Sequence, residues 1–210
     1  MSAEPKVVSF PTSDGGLIYA DEYGGGDRGV VLAHGGRFNK ESWKKQAQAM
    51  AQADFRVLAI DFRGYGKSRG PAPSRDRYEG CHFDVLAAVR YLHETGAKTV
   101  SVVGASFGGW AAAGAAIEAK PEEIDRLVLL SASSIDHPEK LKGRKLFIST
   151  RDDIIGDNQP RLLLIRALYD RAPQPKELLI LDGSAHAQHI FKTDQGDRLL
   201  REIVQFLSES

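Results

Sequence analysis

The strongest constraint on how this chain can fold is a rhythm: short apolar runs recur along it, with longer helix-patterned segments between them. The runs are "GVVLAH" (29–34), "FRVLAID" (55–61), "TVSVV" (99–103), "RLVLLSA" (126–132), "RKLFIST" (144–150) and "ELLILDG" (177–183). They lack the apolar-polar alternation of a half-exposed strand, as strands buried on both faces do. Helices are expected at 41–53, with Asn39 as N-cap, at 81–94, ended by Gly96, at 110–119, where alanine dominates, at 160–169 and at 197–207. Parallel strands need long crossovers, and crossovers on both sides cover the sheet. Two earlier runs, "VVSFPT" (7–12) and "LIYADEY" (17–23), flank Ser13-Asp14-Gly15-Gly16 and read as a hairpin. The pattern predicts an α/β, doubly wound, mostly parallel sheet of about eight strands with an antiparallel N-terminal hairpin.

At 210 residues, 42% hydrophobic and 27% charged, the chain suits a single domain spanning 1–210. A core of that size buries roughly 70% of the unfolded surface. Lysine plus arginine and aspartate plus glutamate are both 28, so no net field draws nucleic acid or an anionic membrane. The N-terminal stretch lacks the apolar core of a signal peptide, and no apolar stretch approaches the ~20 residues of a membrane span. The lone cysteine, Cys81, cannot form an internal disulfide. The expectation is a soluble, cytoplasmic protein acting on a small molecule, without nucleic-acid or membrane partners.

In sheets of this kind, reactive groups gather where the strands' carboxyl ends open into loops. Ser106 stands at such a place, where the β-branched run 100–103 meets the alanine-rich helix, bracketed as Gly104-Ala105-Ser106-Phe107-Gly108. Glycines without a Cβ allow a turn that sharp. His34 with Gly35 and Gly36, the pair Asp152 and Asp153, and His186 follow other strand ends.

Here the chain resembles the α/β-hydrolase superfamily along nearly its whole length, and within it the small esterases and dienelactone-hydrolase-like members. The carrying pieces are "HGG" (34–36), "DFRGYGKS" (61–68), "GASFG" (104–108), an acid after "KLFIST" and "GSAHAQH" (183–189). Serine, acid and histidine come in the family's order. Dienelactone hydrolases proper use cysteine as nucleophile, and Ser106 stands in its place. The resemblance implies a Ser106–His186–Asp153 triad: the imidazole takes the serine proton, and a carboxylate fixes its tautomer. Asp152 and Asp153 compete for the acid's place, since adjacent residues leaving a strand project oppositely and one alone can face the histidine. The family's glycine-x-x-aspartate spacing favours Asp153, with Thr150 where the glycine would be. The resemblance also implies an oxyanion hole from the backbone N–H groups of Gly36 and Phe107, and a structural His34 shaping that loop.

Cys81 beside His82 lacks the further ligands of a zinc site, "DDIIGDN" lacks the alternating carboxylates of a calcium loop, and "YGGGDRG" lacks the lysine of a phosphate cradle. No cofactor and no metal are therefore expected. The interval "SSIDHPEKLKG" (133–143) is too short for the cap domain many family members insert there, so the site should be open. Arg37, Phe38, Phe62, Arg63, Phe107 and Trp110 are candidates to line its mouth. The implied activity is hydrolysis of small or exposed carboxylic esters through an acyl-serine. Thioester or amide deacylation by the same triad, and a non-catalytic interaction protein on the same fold, are the alternatives. Oligomeric state is not legible.

Overall fold

The computed structural model describes residues 4–71, 78–156 and 158–209. In chain order its elements are β1 (Lys6–Pro11), β2 (Leu17–Tyr23), β3 (Arg28–Ala33), α1 (Lys44–Gln52), β4 (Phe55–Ile60), α2 (Cys81–Glu94), β5 (Thr99–Ala105), α3 (Phe107–Glu118), β6 (Arg126–Leu130), β7 (Arg144–Thr150), a short ribbon of β8 (Ile154–Ile155) and β9 (Gln159–Pro160), α4 (Arg161–Arg171), β10 (Lys176–Leu181) and α5 (Gly196–Ser208). Eight strands form one sheet in the order β1-β2-β4-β3-β5-β6-β7-β10. In this sheet β1 pairs antiparallel with β2 and β2 with β4, and the remaining pairings are parallel, while β8 and β9 pair antiparallel on their own.

The unbroken apolar runs are explained by the two packed faces. Val31, Ala33, Val100, Val102, Leu127 and Leu129 point into a core shared with α2, α3 and α4. Their chain neighbours Val30, Leu32, Val103, Val128 and Leu130 point into a second core, shared with α1 and α5. Successive side chains of a strand leave on opposite faces, so a strand covered on both sides has no polar position to show.

Helix α3 lies against the sheet with almost no side chain between. A Cβ on Gly104 would sit 2.4 Å from the Gly108 carbonyl oxygen, and one on Gly108 would sit 2.3 Å from that of Ala33. Here glycine is a packing requirement rather than a matter of flexibility. It is also why α3 begins at Phe107, ahead of the start predicted at 110: Gly108 and Gly109 weaken the helical pattern while making the close approach possible.

Other departures are small. Asn39 does cap the first helical segment, its Oδ1 accepting from the Ser42 N–H at 3.2 Å, but the opening turn (Lys40–Trp43) is 3₁₀. β6 stops at Leu130 because Ser131 has φ +53, which a strand cannot continue through. The β8–β9 ribbon carries no pattern that predicts it. The loop after β4 is irregular where described, bridged to β2 by the Leu17–Arg69 backbone pair; its stretch 72–77, and position 157 of "DDIIGDN", lie outside the described residues. Between β6 and β7 the chain makes only a 3₁₀ turn (Pro138–Lys140), so no cap stands over the carboxyl ends of the strands from that interval. Among the described residues no helix is long and apolar enough to cross a membrane.

Candidate active site

Ser106 occupies the join between β5 and α3 with φ 52° and ψ −115°, a backbone state that L-residues avoid. It persists because its surroundings hold it on both sides. The Ser106 N–H donates to the Leu130 carbonyl at 2.8 Å, and its own carbonyl accepts from the N–H groups of Gly109 and Trp110. This geometry lifts the hydroxyl above the sheet at a helix N-terminus, where the dipole favours negative charge.

His186 follows β10 and reaches the hydroxyl from across the sheet: its Nε2 is 2.8 Å from Ser106 Oγ. Its Nδ1 is 2.7 Å from Asp153 Oδ2. A carboxylate can only accept, so Nδ1 carries the proton and Nε2 is left to accept from the serine. Asp153 is buried, while Asp152 is exposed and, among the described residues, bonds through its backbone N–H to the Gly183 carbonyl at 3.0 Å. The structure thus joins Ser106, His186 and Asp153 and leaves Asp152 outside. Arg161, at the start of α4, has its Nε 2.9 Å from the same Asp153 oxygen and donates through Nη1 to Ser133 Oγ at 2.7 Å.

The loop after β3 lies alongside. A Cβ on Gly36 would be 3.7 Å from Phe107 Cβ, so the two backbone segments expected to supply oxyanion donors are neighbours. The Phe107 N–H opens α3, where first-turn donors have no intrahelical acceptor. His34 is fully buried and its pKa falls to about 4, because desolvation disfavours the imidazolium. Neutral at ordinary pH, it donates from Nδ1 to the Gly35 carbonyl at 2.9 Å and accepts at Nε2, more weakly, from the Phe62 N–H at 3.4 Å. It therefore links the loops after β3 and β4.

The mouth differs from expectation at Arg63, at Phe62, which is fully buried, and at Phe38. Arg63 does not face it: the side chain is buried, donating to Asp84 through Nε at 2.9 Å and Nη2 at 2.7 Å, and to Asp14 through Nη1 at 2.7 Å. It clamps the loop after β4 to α2 and the hairpin. The aromatic neighbours group around Phe107, with ring centroids of Tyr78, Phe62 and Trp110 at 4.6, 4.8 and 6.0 Å. Phe38 packs on His189 instead, at 5.0 Å.

Several supporting residues escape a sequence reading. Thr150 donates its hydroxyl to the Ala185 carbonyl at 2.9 Å. Ser131 Oγ accepts from the Ala187 N–H at 3.1 Å, Tyr65 donates to the Gly36 carbonyl at 2.7 Å, and Gln188 accepts from the Gly35 N–H at 2.7 Å. Nothing local marks them, because their partners are far away in sequence.

A sequence model of the alpha/beta hydrolase fold matches residues 29–149. The chain belongs to this family. Among curated relatives it is 39% identical over 113 residues to bifunctional epoxide hydrolase 2 of Sus scrofa, across 51% of this chain and 20% of that protein. It is 27% identical over 204 residues to a 2-hydroxy-6-oxononadienedioate/2-hydroxy-6-oxononatrienedioate hydrolase of Cupriavidus pinatubonensis, across 87% and 69%. The chain spans 20%, 42% and 57% of the length of three such relatives. Among solved structures, an esterase of Pyrococcus furiosus superposes with a TM-score of 0.81 at 20% identity, covering 97% of this chain and 91% of that one. An esterase of Exiguobacterium antarcticum gives 0.78 at 16%, covering 96% and 99%. At such identities the likeness is one of fold.

Proposed function

We propose that the protein is a serine hydrolase cleaving small or exposed carboxylic esters through an acyl-Ser106 intermediate. The observation that carries the reading is the unbroken hydrogen-bonded chain from Ser106 Oγ to His186 to Asp153, at 2.8 and 2.7 Å. On attack, Ser106 Oγ bonds to the ester carbonyl carbon while its proton passes to His186 Nε2. Asp153 stabilises the imidazolium that forms. The carbonyl oxygen becomes an oxyanion met by the N–H groups of Phe107 and Gly36. Collapse of this intermediate breaks the ester C–O bond, and the alkoxide leaves with the proton from His186. Water then attacks the acyl-enzyme, giving its proton to His186, and a second collapse returns that proton to Ser106 and frees the carboxylic acid.

The lack of a helical cap between β6 and β7 favours substrates whose acyl group is short or presented at the surface. The test is labelling by a fluorophosphonate together with turnover of p-nitrophenyl esters of increasing chain length. Stoichiometric labelling, lost in Ser106→Ala, and a preference for acetate over long chains are expected. A folded protein that does not label would refute the triad's role, and a marked long-chain preference would refute the open site.

A further inference from the structure

Gln188 is buried, 4% exposed, on the 3₁₀ turn (Ala187–Lys192) that begins just after His186. Its side chain leaves that turn and crosses to the loop after β3. Oε1 accepts from the Gly35 N–H at 2.7 Å, and Nε2 donates to Ser42 Oγ at 2.9 Å. The amide orientation is forced, since only the carbonyl end can accept from a backbone N–H. Ser42 is itself held: its N–H donates to Asn39 Oδ1 at 3.2 Å and its hydroxyl to the Asn39 carbonyl at 2.5 Å.

The reason such an anchor matters lies in the loop. Gly35-Gly36 is the most permissive dipeptide a chain can contain, yet an oxyanion donor contributes only if its N–H is aimed before the charge develops. Each peptide plane here is held by a different side chain. Gln188 holds the 34–35 plane by its N–H, His34 holds the 35–36 plane, which carries the Gly36 N–H, by its carbonyl, and Tyr65 holds the 36–37 plane by its carbonyl. Of these three, Gln188 alone comes from the loop that bears the base.

Resting on the serine-hydrolase reading above, we infer that Gln188 is a positioning residue that fixes the 34–35 peptide plane, next to the plane that carries the Gly36 N–H, and ties the oxyanion loop to the histidine loop. The base and the oxyanion donor are then set by one connected structure. The interaction with the oxyanion strengthens in the transition state, so loss of alignment lowers kcat more than it raises KM.

Gln188→Met keeps length and packing but removes both hydrogen bonds, and Gln188→Glu restores the acceptor. With p-nitrophenyl acetate, and with active sites titrated by fluorophosphonate, Gln188→Met is expected to lower kcat about 10- to 100-fold with KM within about twofold. Gln188→Glu should recover most of the loss. Ser42→Ala, at a half-buried position, removes only the far anchor and should lower kcat about threefold with KM unchanged. A kcat per titrated site within about twofold of wild type in Gln188→Met, whatever its melting temperature, overturns the inference. So does a Gln188→Glu enzyme no better than the Met variant, or an unaffected kcat in Ser42→Ala. An active wild type with any of these results counts against Gln188 alone, whereas a wild type that neither labels nor turns over counts against the serine-hydrolase reading and this inference together.

Discussion

Ser106 and His186 meet at 2.8 Å, yet the two loops that carry them are held in opposite ways. The serine turn sits in mid-sheet, on β5 between β3 and β6, and is made by backbone: a positive φ, glycines with no room for a Cβ, and hydrogen bonds to the adjacent strand and its own helix. The histidine loop hangs from β10 at the sheet's edge and is made by side chains. Thr150, Ser131 and Gln188 reach it from, or reach out of it to, β7, the end of β6 and the loop after β3. A central strand is flanked on both sides and can bear a strained turn. A loop beyond an edge strand lacks that support and depends on hydrogen bonds from distant residues.

The contrast can be broken most sharply at the acid. Asp153→Asn should lower kcat by about 10⁴-fold, since an amide no longer fixes the imidazole tautomer, while Asp152→Asn should stay within about twofold. Ester turnover corrected for titrated sites measures both. Equal losses would mean that the histidine loop is not held in the observed geometry.

A second pair compares the loops directly by denaturant midpoint. Gly108→Ala places a methyl 2.3 Å from the Ala33 carbonyl oxygen and should cost about 3 kcal/mol. Gly183→Ala, beside the histidine loop, meets no atom within 4 Å and carries only the strain of φ +94. It should cost about 1 kcal/mol. Similar losses would erase the distinction between a turn fixed by backbone packing and one that is not.

Another effect is spread over pH and concerns the loop after β3. Between about pH 6.5 and about 4 the unfolded chain carries a proton on His34 that the folded chain excludes. Stability is therefore full above that window and falls as the pH drops through it, by up to about 3 kcal/mol. Chemical denaturation across the window should show this slope, and His34→Gln should flatten it. A slope that survives the substitution would assign it to another group.

Much of this was legible in one dimension. The strand-helix rhythm predicts the sheet and its antiparallel hairpin, and α2 is predicted with the bounds it has. The sequence pattern places the start of α3 late because the glycines that let it touch β5 are poor helix formers. The place of Arg63 after a strand end points it to the mouth. Its partners, Asp14 and Asp84, lie in the hairpin and in α2, so only folding reveals that the charge is spent on a buried clamp.

By itself, the sequence determined the turn that displays Ser106 and set His34, the pair Asp152 and Asp153, and His186 after other strand ends, because β-branched runs, alanine and paired glycines act on the backbone within a few residues. Only the tertiary structure decided that Asp153 faces His186 while Asp152 faces solvent, and that Thr150, Tyr65 and Gln188 hold the loops around them. Those choices rest on hydrogen bonds between segments far apart in the chain, whose directions do not exist until the sheet brings the strand ends together.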